Sequence, residues 1–373
     1  MVRFIHTSDL HLGKRFGNMP DDLRGRLREA RHTVIDRLAA RARENGATAV
    51  LLAGDTFDTE TPAPDIRRQA LAAMGHQAPL RWIILPGNHD SLQASELWLL
   101  LRAEAPPNVT LLTEPAPFLL EPDVAILPAP CTTRRPGRDL SEWMNRAETG
   151  AAMRLGLAHG AVLEFSEEEA ASDVIAPDRA ARAGLDYLAL GDWHGRMAVG
   201  ERTHYSGTPE PDRFKHNAAG VALLVSIAGR GAPLEVSHVQ TGQFDWRTVA
   251  MQLLVSDDAA AMLSDRLPER PQRRQSLVRI AAAGRTTMAA RSALIAAATE
   301  VGPEFARFEL LTDALATDVE SDDLDLIDRA GALRRTAEML REQSLDESRS
   351  AEDRQIARAA LMRLFSYAQG AAT

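Results

Sequence analysis

Five short apolar runs, all within the first 191 residues, each end in a cluster of polar, chemically active side chains. The runs occupy positions 2–7, 49–53, 81–85, 155–159 and 185–191. The clusters that close them are Asp9-Leu10-His11, Gly54-Asp55-Thr56-Phe57-Asp58, Gly87-Asn88-His89-Asp90, His159-Gly160 and Gly191-Asp192-Trp193-His194. Helical patterns at 22–45, 66–76 and 95–103 separate the early runs. Short strands alternating with helices predict an α/β layered fold. In such sheets ligands gather beyond the carboxyl ends of the strands. Five polar clusters at five such ends therefore predict one shared site.

Further strand patterns at 109–112, 118–120, 124–128, 221–227 and 234–239 extend this to a sheet sandwich flanked by helices. The character changes near residue 240. Strand patterns at 247–255, 277–283 and 305–311 alternate with helical patterns at 258–267 and 287–299, enough for a small second domain. The stretch 318–328 holds six acids and reads as a solvated linker. Helical patterns follow at 330–343 and 351–369. The expected division is 1–240, 241–313 and 314–373.

Composition narrows the setting. Of 373 residues, 45% are apolar and 25% charged, as in a globular protein. No run reaches the ~18 consecutive apolar residues of a membrane helix. The N-terminus enters a strand pattern directly, unlike a signal peptide. The single cysteine, Cys131, excludes an intrachain disulfide and a thiolate zinc site and fits a reducing cytoplasm. The net charge of −9 argues against a broad basic surface, so contact with nucleic acid would rest on local patches. Residues 11–43 hold nine basic side chains against four acids, and 265–291 hold seven arginines against two acids. The plainer reading of both is a solvated, arginine-rich helix face.

The polar clusters are chemically coherent. They combine carboxylates, imidazoles and one amide, without a thiol. Such nitrogen and oxygen donors suit Mn²⁺, Fe or Zn²⁺. Two cations ~3.5–4 Å apart can hold an attacking hydroxide and neutralise a phosphate in line with it. Asp55 is a candidate to bridge them. Taken singly, each cluster has an ordinary explanation: glycine and asparagine favour turns, and a lone histidine is more often structural. The ordered set at successive strand ends points to a metal site.

This set resembles the calcineurin-like metallophosphoesterases, which have a β-sandwich flanked by helices and a dinuclear centre. The resemblance spans residues 9–194. It implies that Asp9, His11, Asp55 and His194 hold one metal, and that Asp55, Asn88, His159 and Asp192 hold the other. His89 is implied to contact the phosphate and protonate the leaving oxygen, with Asp58 and Asp90 orienting imidazoles from behind. Where the family usually has Gly-His-x-His, this chain has Gly191-Asp192-Trp193-His194. The added carboxylate shifts the expectation towards Mn²⁺, with Mg²⁺, Fe or Zn²⁺ as alternatives.

Within the superfamily the chain looks most like the DNA-repair exonuclease branch, the SbcD-like nuclease subunits. The opening from Phe4 to Gly13 and the loop Tyr205-Ser206-Gly207-Thr208-Pro209-Glu210 carry that likeness. It implies a phosphoesterase domain, a small α/β cap and C-terminal helices. It also implies a metal-dependent phosphodiesterase acting on DNA in repair, an SMC-like coiled-coil ATPase partner and a homodimer. Lys14, Arg15, Lys215 and His216 are candidate substrate contacts. The rivals are a phosphodiesterase or phosphatase on a small nucleotide or phosphoprotein, and a weakly active metal-binding subunit of an ATPase complex.

Overall fold

The computed structural model describes residues 1–162, 174–217, 219–318, 324, 327, 328 and 331–370. The chain divides into two compact units, Met1–Trp246 and Arg247–Thr373.

The first unit is built on two six-stranded sheets. One runs β12-β11-β1-β2-β3-β4, from β1 (Val2–Thr7), β2 (Ala49–Leu52), β3 (Arg81–Ile84), β4 (Val109–Leu111), β11 (Val221–Ile227) and β12 (Leu234–Gln240). The other runs β5-β6-β7-β8-β10-β9, from β5 (Phe118–Glu121), β6 (Val124–Ala129), β7 (Met153–His159), β8 (Tyr187–Gly191), β9 (Met197–Gly200) and β10 (Thr203–Tyr205). The central strands β1, β2 and β3 are mutually parallel, as are β6, β7 and β8.

These strands read as continuous apolar runs because both faces are buried. Alternate residues serve alternate layers. In β2 and β3, Val50, Leu52, Trp82 and Ile84 pack beneath helices. Their neighbours Ala49, Leu51 and Ile83 face Leu155, Leu157 and Ala189 of the second sheet. The main helix over the first sheet is α1 (Asp21–Glu44), whose buried Leu23, Leu27, Val34, Ile35 and Leu38 recur at helical spacing. Helices α2 (Pro64–Gly75) and α3 (Ser95–Glu104) complete that layer. Outside the second sheet, Leu188 and Leu190 pack with Met144, Leu185 and Ala180 of the short α4 (Arg179–Arg182).

Strands β9 and β10 had no counterpart in the sequence patterns. They are four and three residues long. Only pairing with β8 reveals them, since β10 lies parallel to it at the sheet edge.

The second unit holds a three-stranded sheet, β13-β14-β15, from β13 (Asp245–Leu253), β14 (Ser276–Thr287) and β15 (Arg307–Asp318). Helix α5 (Ala259–Ser264) and a short turn, α6 (Arg270–Arg273), connect the first pair, and α7 (Met288–Val301) crosses between the parallel β14 and β15. Both of those strands outrun their expected lengths, because a register shift near Ala281–Ala283 lets pairing continue into the polar Arg285-Thr286-Thr287. Helices α8 (Ala332–Leu345) and α9 (Ala351–Gly370) pack Ala337, Leu361 and Phe365 around Met288. Most of the acidic stretch 318–328 falls outside the described residues. No described helix is long and apolar enough to cross a membrane.

His6 of β1 makes two buried polar contacts with the second sheet. His6 Nδ1 lies 2.9 Å from Tyr187 Oη, and Nε2 lies 3.2 Å from the Leu190 carbonyl. The tautomer that satisfies both donates from Nε2 and accepts from the tyrosine. Burial, helped by His204, pushes the His6 imidazole down to about 3. An unfolded chain binds this proton below its ordinary value of about 6.5, whereas the folded chain resists it until about 3. Stability is therefore lost as pH falls through that window, by at most ~1.4 kcal/mol per pH unit. Urea unfolding in EDTA, at a series of pH values down to about 5, should show this slope in wild type and a shallower one in His6→Gln.

Candidate metal centre

The carboxyl ends of β1, β2, β3, β7 and β8 meet at one pole of the first unit. Backbone bonds fasten the loops together there: Asp9 N to Gly54 O (3.1 Å), His11 N to Asp55 O (3.0 Å) and Gly160 N to Gly191 O (3.2 Å). Asp9, His11, Asp55 and Asp192 all have positive φ, at 56°, 43°, 54° and 97°. That conformation costs non-glycine residues energy and persists where surroundings enforce it. Two glycines make room for the approach. A Cβ on Gly54, itself at φ 88°, would strike the His159 ring, and one on Gly87 would strike Asp55.

The side chains then converge. Asp55 Oδ1 accepts the His89 backbone N–H at 2.9 Å. Its Oδ2 lies 3.6 Å from His11 Nε2 and 3.5 Å from His159 Nε2, between the two expected metal positions. Asp9 Oδ1 lies 3.8 Å from His11 Nε2 and 3.7 Å from His194 Nε2. Asn88 Nδ2 donates to Asp192 Oδ1 at 3.0 Å, and that carboxylate oxygen is 3.8 Å from His159 Nε2. Asp192 thus faces inward. Among the described residues, Asp9-His11-His194 and Asp9-Asp55-His159 have the donor spacing of metal-binding groups, as does His11-Asp58-His89.

The donor set fits cations. Asp9 Oδ1, Asn88 Oδ1 and His159 Nε2 are buried without a hydrogen-bond partner among the described residues. The imidazoles present Nε2 inward. His159 Nδ1 lies 2.8 Å from the Ala53 carbonyl, which requires the proton on Nδ1. His11 Nδ1 faces Asp58 Oδ1 at 3.1 Å, and His194 Nδ1 faces Asp212 Oδ1 at 3.4 Å. Backing carboxylates and carbonyls of this kind set the tautomer of metal-ligating histidines. His11 Nε2 and His194 Nε2 meet at 3.2 Å; with both ring protons on Nδ1 their lone pairs oppose, which a cation would relieve.

The electrostatics pair opposite charges at the centre. Burial raises the Asp55 carboxyl, but His159 and His11 outweigh it and hold the group below the usual carboxylate range. Burial lowers His11. It also lowers His159, where the Asp55 charge overrides it and raises the imidazole well above its ordinary value. Asp192 is raised by burial and by the charges of Asp9 and Asp55. Cys131 borders the site, its thiol 3.5 Å from the His159 carbonyl, and burial pushes it up to about 12.

Some expected roles change. Asp58 Oδ1 stands 3.1 Å from His11 Nδ1, whereas Asp90 has no hydrogen bond to an imidazole among the described residues. Its carboxylate accepts the Phe57 N–H at 3.0 Å and the Gly87 N–H at 2.7 Å, stapling two loops together. Burial and the Asp55 charge raise it to about 7. Lys14 is drawn between Asp212 (2.7 Å) and Asp58 (3.7 Å), which neutralises its charge inside the chain. Lys215 lies over the Trp193 ring at 5.3 Å, and His216 meets the same ring at 4.8 Å. Arg15 alone of the four substrate candidates is exposed without a side-chain partner among the described residues.

The sequence patterns did not single out Asp212. It contacts His194, Lys14, Arg31 (3.5 Å) and Arg213 (2.9 Å). Burial would raise its carboxyl, yet His194 and Arg31 pull it well below the usual range. Only its place two residues after the Tyr205–Glu210 motif hinted at it. That motif acts as a brace: Thr208 Oγ1 donates to the Asp9 carbonyl at 3.0 Å, and Ser206 meets Ser8 at 3.0 Å.

A family profile described as calcineurin-like phosphoesterase matches residues 2–196, more than half of the chain. The chain belongs to the calcineurin-like phosphoesterase family. The SbcD component of the SbcCD nuclease of Bacillus subtilis is 32% identical over 94 residues, covering 24% of this chain and 22% of that protein. Its namesake in Escherichia coli K12 is 34% identical over 94 residues, with the same coverage. The matched segment thus spans about a fifth of these curated relatives. The crystal structure of TT1561 of Thermus thermophilus aligns with TM-score 0.40 and 11% identity, over 63% of this chain and 98% of that one.

Asp212→Asn should weaken Mn²⁺ binding by about 10–100-fold, the usual effect of losing a group that orients a ligating histidine. Titration followed by the electron paramagnetic resonance of free Mn²⁺ measures this. An unchanged affinity would make Asp212 a purely structural anchor for Lys14 and Arg31.

Proposed function

We propose that this chain is a metal-dependent phosphodiesterase acting on DNA, as the nuclease subunit of an ATPase-linked repair assembly. The inward convergence of unpartnered Asp9, Asn88 and His159 donors on Asp55, in a calcineurin-like phosphoesterase, carries the phosphodiesterase part. The partial likeness to the SbcD component of the SbcCD nuclease supports the DNA part. In this reading Asp9, His11, Asp55 and His194 hold one divalent cation, and Asp55, Asn88, His159 and Asp192 hold a second, with Mn²⁺ preferred. When bound, the pair supplies positive charge against the phosphate and acidifies a water molecule.

The protein's own groups do the rest. Asp55 Oδ2, 3.6 Å from His11 Nε2 and 3.5 Å from His159 Nε2, would contribute to holding both cations. His89 Nδ1 is fixed on the Asp58 carbonyl at 2.9 Å, leaving Nε2 for a phosphate oxygen. From there His89 stabilises developing charge and delivers a proton to the leaving oxygen. Residues 241–313 and 314–373 serve as a cap and a partner-binding tail in the same proposal.

A second reading has one observation in its favour. Asp192 adds a carboxylate where relatives carry an imidazole, and the Asn88 amide leans on it rather than standing free. That arrangement offsets cation charge and favours a weakly active metal-binding subunit.

End-labelled single- and double-stranded DNA, incubated with Mn²⁺, separates these readings when a generic phosphodiester dye runs alongside. Wild type should cut DNA, and Asp55→Asn should lose both metal and turnover. His89→Ala should keep its metal and lose about 10²–10⁴-fold in rate. Cleavage of the dye without DNA would move the substrate to a smaller phosphodiester. Silence on both, with metal bound, would favour the weakly active subunit.

A further inference from the structure

The arginines of α1 are largely committed within the chain. Arg31 donates to the Leu10 and Glu210 carbonyls, Arg37 to Glu210, Arg41 to Glu44 and Arg43 to Gln77. A different set stands free. Arg134, Arg135, Arg138 and Arg146 are exposed, and none has a side-chain partner among the described residues.

Arg138 and Arg146 line a groove of about 950 Å³, together with Leu92, Pro115, Pro130 and Trp143. Trp143 is a fixed aromatic wall. Its Nε1–H donates to the Pro128 carbonyl at 3.0 Å, and its ring packs against the cluster around Met144 while staying partly exposed. Asp139, also on the groove, is neutralised by Arg179 at 2.6 Å. Glu142 and Glu148 are the remaining acids there, against the free arginines.

The groove adjoins the candidate centre. Leu92 N donates to the Cys131 carbonyl at 2.9 Å, and Cys131 N to the Pro86 carbonyl at 3.1 Å. The Leu92 and Pro130–Thr132 walls therefore continue directly from the loop that carries Asn88 and His89.

We propose that this groove holds a single-stranded DNA segment continuous with the strand that enters the metal centre. One unstacked base lies on Trp143, and Arg138 and Arg146 take the flanking phosphates, with Arg134 and Arg135 extending the track. The proposal rests on the phosphodiesterase reading above. Its physical basis is the pairing of a rigid aromatic face with exposed arginines, the combination that binds single strands without sequence preference. A duplex keeps its bases stacked and gains only the charge.

The test uses the full chain in EDTA, which prevents cleavage. Fluorescence anisotropy measures binding of labelled oligo-deoxythymidine and of a blunt duplex across a salt series. Trp143→Leu should weaken single-strand binding by about tenfold, and Trp143→Phe should keep most of it. Arg138→Gln with Arg146→Gln should reduce the single-strand salt slope by about 1.4. Duplex binding should fall less in the tryptophan variant than single-strand binding. Absence of wild-type binding, or single-strand affinities within about twofold of wild type in both variants, overturns the proposal. So does a Trp143→Phe variant as weak as Trp143→Leu. If Trp143→Leu does not fold, the exposed arginine pair carries the test. Dye hydrolysis by wild type with Mn²⁺ keeps the two ideas separate. Hydrolysis without any groove effect sinks the groove alone, and groove binding without hydrolysis of dye or DNA sinks the phosphodiesterase reading alone.

Discussion

Imidazoles and carboxylates packed against one another at a buried pole are the constraint on which the first unit depends. His11 and His194 present Nε2 to each other at 3.2 Å, and Asp9, Asp55 and His159 crowd the same space. A neutral core could not contain this set, because buried acceptors without donors cost several kcal/mol each. The backbone accepts further strain to hold it, with four of the candidate ligands at positive φ. The sandwich is arranged so that this cost falls at one place, where a divalent cation would offset it.

What surrounds that pole is drawn from distant parts of the chain. Asp58 backs His11 and Asp212 backs His194. Asp90 ties the loops after β2 and β3, and Thr208 ties the loop after β10 to Asp9. Arg31 reaches from α1 to the carbonyls of Leu10 and Glu210, so the helix layer also restrains the centre. Positional accuracy in such a site comes from these supports as much as from the ligands themselves.

The ligand candidates were legible because each sits beside its own strand, where apolar run and polar cluster are contiguous. The central strands were legible for the same reason, since burial on both faces leaves an unbroken apolar signature. The supports were not. Asp212 meets Lys14 across the chain, and His6 meets Tyr187 across 181 positions, without any local pattern to announce either. The family resemblance implied that Asp90 orients an imidazole; its carboxylate accepts the Gly87 and Phe57 N–H groups. Several α1 arginines are engaged with loops and carbonyls of the chain, whereas Arg134, Arg135, Arg138 and Arg146 are exposed without a side-chain partner among the described residues.

Cys131 offers a practical handle through its very inaccessibility. It is the one thiol in the chain, it is buried, and its proton is held up to about 12. Thiolate is the form that reacts with alkylating probes, so the native chain is almost silent towards them. A cysteine introduced at an exposed position would be the sole labelling point, with no native thiol to delete. Spin labels or fluorophores could then report movement of any chosen loop while the wall beside His159 stays intact.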